Sequence, residues 1–143
     1  MKRHNARILA VMTLYNMDVN QYSNEAALEC FEQIQTLEKE YEYPVEIDYE
    51  FSQELVTKGI ENLQTIDEQI EKSLIKYTLD RLSYVDRAII RVATYEMLMT
   101  STAKEVIIDE ALWITREYSN LNDDAQVKFT NRLLENIAKG IYE

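Results

Sequence analysis

The chain has 143 residues, 46% of them hydrophobic, and a net charge of −11, enough for one domain that buries about 68–70% of the surface its unfolded form exposes. Two glycines and one proline fall far below the usual shares of about 7% and 5%, which disfavours hairpin-rich folds and predicts an all-α fold of about seven helices. The same scarcity excludes a glycine-rich phosphate loop, and a lone His4 and a lone Cys30 exclude an internal disulfide framework and a Cys/His zinc set, so no catalytic site, metal or cofactor is expected.

The first predicted helix runs from Arg3 to Met17, with Ala6, Leu9, Ala10, Leu14 and Met17 on one face and Ile8, Val11, Met12 and Tyr15 forming a second stripe beside it. Its first turns carry Lys2, Arg3, His4 and Arg7, the unfavourable sign for a helix N-terminus. These cations either meet a partner or offset the acidic body, since residues 18–54 hold 11 acids against Lys39 alone. Residues 18–24 read as a loop, followed by an amphipathic helix through Ala27, Cys30, Phe31, Ile34 and Tyr41, with Cys30 as core filler. The stretch 41–48, with Pro44, is the clearest break. From Tyr49 to Leu63 the stripe is Phe51, Leu55, Val56, Gly59 and Leu63, and the glycine is expected to permit a close helix crossing. Asp67 is read as the cap of a following helix through Ile70, Leu74 and Tyr77.

The organising stretch is Leu82 to Met99. Val85, Ala88, Ile89, Val92, Tyr95 and Met99 form its broad apolar face, Arg87, Arg91 and Thr94 form a narrow polar seam, and Ser83 with Asp86 is a capping pair. Such a helix must be covered over most of its circumference. A helix over Val106 to Tyr118 follows, with Trp113 either packed or a partner contact. After a turn at 119–124, with Asp123 or Asp124 as a cap, the last helix runs from Ala125 to Ile141, burying Phe129, Leu133, Leu134, Ile137 and Ile141. The apolar runs are short and helically patterned, so no signal peptide or membrane span is read and cytoplasmic residence is the default.

Five segments in order then carry a resemblance. KRHNAR followed by Ala10, Leu14 and Tyr15 is similar to an arginine-rich start with AR, A and LY positions, and Phe51, Leu55, Val56 and Gly59 lead to Asp67 and Ile70. DRAIIRVATYEM is similar to DRAILRLAxYEL, Val106 to Ala111 to V-x-I-N-E-A, and KFTNRLLENIA to KFVNGVLxxIA. Together these resemble the NusB family of bacterial transcription antitermination factors. The resemblance implies two packed helical bundles in a single domain, residues 1–143, with N-terminal helices over about 1–80 and C-terminal helices over about 81–143. It also implies a non-enzymatic adaptor that binds boxA-type single-stranded RNA of ribosomal RNA transcripts together with NusE, a ribosomal protein, within the RNA polymerase antitermination complex.

Carried over by position, Lys2, Arg3, Arg7, Tyr15, Lys128 and Phe129 match the RNA-binding residues, and Asp86 and Arg87 begin the motif on the NusE side. Cations on phosphates and rings under bases are what single-stranded RNA needs, provided the two ends of the chain converge. Bland readings stand beside these: Phe129 as core, Asp86 as a cap only. The chain departs from the family pattern at Ala103, Asp109, Thr130 and Arg132, where proline, asparagine, valine and glycine are usual, and its basic start is thinned by His4 and Asn5. Fewer cations imply weaker, more partner-dependent RNA binding. The alternative is a NusB-fold protein-interaction module or homodimer with no direct RNA contact. An enzyme is disfavoured, because the chain leaves no room for the methyltransferase domain that follows some NusB-like domains.

Overall fold

Several helices begin or end where a side chain or a backbone turn takes over hydrogen-bonding groups that the helix itself leaves open. The computed structural model describes residues 1–41, 45–119 and 124–143, and among them are seven α-helices, one 3-10 turn and no strand. They fall into two units, Met1–Glu61 and Asn62–Glu143. No helix among them is long and apolar enough to cross a membrane.

In the first unit, α1 (Lys2–Asn20) packs against both α2 (Asn24–Glu40) and α3 (Tyr49–Glu61), which also touch each other. α1 runs three residues past the expected end because Gln21 adopts the left-handed conformation, φ 54°. The Gln21 and Tyr22 amides then return to the Asp18 and Met17 carbonyls, a Schellman closure built without glycine. The Ser23 hydroxyl accepts from the Ala26 amide to start α2, and the Asp48 carboxylate accepts from the Phe51 amide to start α3. The expected break keeps its place, although residues 42–44, Pro44 included, lie outside the described residues. Leu9, Ala10, Leu14, Phe31, Leu55 and Val56 form this unit's core, whereas Met12 and Tyr15 of the second α1 stripe are 46% and 39% exposed. Cys30 is half-buried.

The second unit is built around α5 (Tyr84–Met99), which packs against α4 (Leu63–Glu71), α6 (Lys104–Tyr118) and α7 (Ala125–Tyr142). Eleven of the sixteen α5 residues are buried, as a helix covered on most sides requires. Ser83 caps it as expected, accepting from the Asp86 amide at 3.2 Å while its own hydroxyl donates to the Asp86 carboxylate at 2.8 Å. α4 groups with these helices because it packs on α5 and α7, whereas the sequence grouping placed residues up to about 80 with the N-terminal helices.

Two local expectations need correcting. Asp67 is no cap: it lies inside α4, which ends at Glu71 before Leu74 and Tyr77, and its carboxylate takes two 2.8 Å hydrogen bonds from the Arg91 guanidinium on α5. Gly59 makes no close crossing, since a Cβ built there would meet nothing within 4 Å. Of the two α7 cap candidates, Asp123 lies outside the described residues, and Asp124, at φ 60°, makes no side-chain capping hydrogen bond. Between α4 and α5 a 3-10 turn, Leu79–Arg81, holds Asp80, whose carboxyl sits below the ordinary carboxylate range chiefly because the Thr78 hydroxyl donates to it.

Three stability measurements follow from this packing. Gly59→Ala is expected to stabilise the protein by about 1 kcal/mol, the helix-propensity difference with no steric cost, as read by urea unfolding. Thr130 is 1% exposed and its hydroxyl has no hydrogen-bond partner among the described residues, so Thr130→Val should gain roughly 1 kcal/mol. Asp67→Ala should cost roughly 2–3 kcal/mol, less than the about 3–5 of a fully buried pair because Asp67 keeps 25% exposure. In an Arg91→Met background the same change should cost less than about 1 kcal/mol, and equal costs in both backgrounds would deny the coupling.

Candidate nucleic-acid interface

The basic start of α1 is held by the segment that precedes α3. The Asp48 amide donates to the Lys2 carbonyl at 3.1 Å, and the Asn5 side chain donates to the Glu46 carbonyl at 2.8 Å. Two guanidinium groups then lie over one ring: Arg3 is 4.3 Å and Arg7 5.1 Å from the Phe51 centroid. Their exposures separate them. The Arg3 side chain is 59% exposed and forms a loose 3.7 Å ion pair with Asp48, whereas Arg7 is only 4% exposed. Lys2 and Arg3 are therefore surface cations, and Arg7 is a packing group whose charge is turned inward onto Phe51; His4, at 3% exposure, is also internal.

Lys2 also borders a shallow depression shared with Lys39 and Tyr49. The Lys39 ammonium sits 4.6 Å from the Tyr49 ring centre, and burial, followed by nearby Glu38, pushes the Tyr49 phenol above its ordinary value. That ring stays neutral across the physiological range. The one base of the acidic stretch is thus gathered toward the basic start rather than scattered.

In the second unit, α7 and the segment after α4 bound a cleft of about 260 Å³. Phe129, expected as either core or platform, is half-buried on its wall. Its ring meets Tyr77 edge-on, with centroids 6.3 Å apart and planes at 83°. Tyr77, expected on a buried helical stripe, is 52% exposed. Sequence reasoning missed it because the apolar spacing of Leu74 and Tyr77 continues that of Ile70 past the true end of α4. The available signal was the run of weak helix formers Ser73, Ile75, Tyr77 and Thr78. Lys128 is exposed but does not line the cleft.

Asp86 is 5% exposed and fully occupied: its carboxylate accepts from Ser83, from Ser119 at 2.5 Å and from the Gln126 amide at 2.7 Å. It ties the end of α6 and the start of α7 to α5, so its carboxylate is turned to neighbours within the unit. Its neighbour Arg87 is half-exposed, lies 5.0 Å from the Tyr84 ring centre and donates to the Leu82 carbonyl. Trp113 on α6 is 38% exposed. Among the described residues no group of three or more His, Cys, Asp or Glu side chains could hold a metal ion.

Chemically, the first unit offers the surface cations Lys2 and Arg3, and the second, taken by itself, offers the rings of Phe129 and Tyr77 in one cleft. The NusB family model matches residues 4–139. Transcription antitermination protein NusB of Staphylococcus epidermidis is 34% identical over 137 residues, covering 96% of this chain and 98% of the relative, and that of Bacillus thuringiensis is 37% identical over 139 residues, covering 96% and 97%. Among solved structures, T. maritima NusB is 30% identical with a TM-score of 0.73, covering 97% of this chain and 92% of that one. A structure of antitermination factors NusB and NusE in complex with dsRNA is 26% identical with a TM-score of 0.75, covering 96% of each chain. With a family match over almost its whole length and relatives above 30% identity end to end, this chain belongs to the NusB family.

Proposed function

We propose that this chain is a cytoplasmic, non-enzymatic transcription antitermination factor that holds boxA-type single-stranded RNA of ribosomal RNA transcripts jointly with NusE, within the RNA polymerase antitermination complex. The observation that supports this most directly is the half-buried Phe129 with its exposed partner Tyr77 in one cleft, a platform for unpaired bases. Stacking on such rings contributes about 1–3 kcal/mol per base. Lys2 and Arg3 serve phosphates, Tyr15 offers a further exposed ring, and Arg7 acts by holding Phe51 under Arg3. The similar solved complex of NusB and NusE with dsRNA supports NusE and RNA as partners at the level of class. On the NusE side, Arg87 makes the contact, and Asp86 positions it by fixing the first turn of α5.

Affinity in this mechanism is shared. An acidic body with few surface cations binds RNA weakly alone, and a second contact through a basic ribosomal protein raises the local concentration of the first. Titrating boxA-like RNA at two salt concentrations, with and without NusE, should show weak, salt-sensitive binding that tightens when NusE is added. Phe129→Ala should weaken RNA binding to the NusE complex by about tenfold, the equivalent of 1.4 kcal/mol. Unchanged affinity in that variant would remove the ring from the site, and a NusE complex with no RNA affinity would support a protein-interaction module instead.

A further inference from the structure

We propose that Arg132 is a phosphate anchor for single-stranded RNA in the cleft of the second unit. The proposal rests on the RNA-binding reading above and adds to it a residue that the family pattern, with glycine at this position, does not supply. Phe129, Arg132, Leu133 and Asn136 recur at i, i+3, i+4 and i+7, so they share one face of α7, and all four line the cleft. Lys128, an i, i+4 neighbour of Arg132, stands at the margin of that face and does not line the cleft. The cation that belongs with the Phe129 ring is therefore the one three residues on.

Across the cleft stand Lys76 and Tyr77. Two cations and two rings line it with no carboxylate among them, in a protein with 26 acids and 15 bases. Among the described residues, neither Arg132 nor Lys76 forms an ion pair, so neither charge is already neutralised. A guanidinium beside accessible rings is suited to hold a phosphate while the attached base lies on the aromatic wall. Only an unpaired base can turn out of its strand into such a recess, which sets single strands apart from duplexes. Because this site lies within one unit, it does not depend on the cations at the start of α1.

The test is fluorescence anisotropy of labelled hexauridylate with the whole protein at 50 and about 200 mM salt, a range over which counterion release changes affinity measurably. Arg132→Ala is expected to weaken binding about tenfold and to flatten the salt dependence by roughly 0.7 in log–log slope, the contribution of one phosphate contact on a single strand. Arg132→Lys should keep the slope, and melting temperatures measured alongside should separate lost binding from lost fold. A duplex of the same length should bind wild type and Arg132→Ala alike. If wild type binds hexauridylate and Arg132→Ala binds it equally well with the same slope, the anchor is overturned while the RNA-binding reading stands. If wild type binds no single-stranded RNA even with NusE, both are overturned, and tight capture of an acidic peptide in its place would assign the cleft to protein.

Discussion

The second unit depends on satisfying charge inside a helix that is buried on nearly every side. α5 places Asp86, Arg91 and Glu96 at 5%, 7% and 1% exposure, and a charge so removed from water is tolerated only when hydrogen-bonded partners replace the solvent. Arg91 finds Asp67 in α4 through a two-bond fork, and Asp86 collects Ser83, Ser119 and Gln126. Each pairing is directional where apolar packing is not. The register of α4, α6 and α7 on α5 is thereby selected by a few polar contacts, while Ile89, Ile90, Ile107, Ile114, Leu134 and Ile137 are among the largest fully buried side chains around it.

The candidate surface has a different electrostatic logic. The protein is strongly acidic, yet several of its cations lie beside rings: Arg3 and Arg7 share the Phe51 ring, Lys39 sits over Tyr49 in a depression that Lys2 also borders, and Lys76 and Arg132 line the cleft with Phe129. Long-range attraction for a polyanion is weak under such a net charge, so the proposed RNA contact rests on short-range groups. A partner that brings its own positive charge complements this arrangement.

Much of the architecture was legible because helical spacing and capping are local. The stripe of α5 and its Ser83 cap involve neighbours within a few residues: the cap is found as read, and of the stripe Ala88, Ile89, Val92 and Tyr95 are buried, whereas Val85 is half-buried and Met99 is exposed at the helix end. What was illegible depends on distance in sequence. Asp67 looks like a cap until Arg91, 24 positions away, claims it; Asp86 reads locally as the capping partner of Ser83, and nothing near it announces Ser119 and Gln126, 33 and 40 positions on. Arg7 reads as a phosphate ligand because nothing nearby announces that Phe51 will lie against it. Phe129 was legible only as a choice between core and platform, and its half-buried position partakes of both. Gly59 shows the converse error, in which a suggestive position has no close neighbour to justify it.

Trp113 is the single tryptophan of the chain, and it sits part-exposed on α6, within the unit built on α5. Indole emission therefore reports on one unit only, whereas circular dichroism samples helices of both and the ten tyrosines are spread along the chain. Coincident melting of the two signals means that the units unfold as one cooperative block; a split between them means that each has its own stability. The position of one indole thus turns cooperativity within a small helical protein into a quantity that can be read optically without labels.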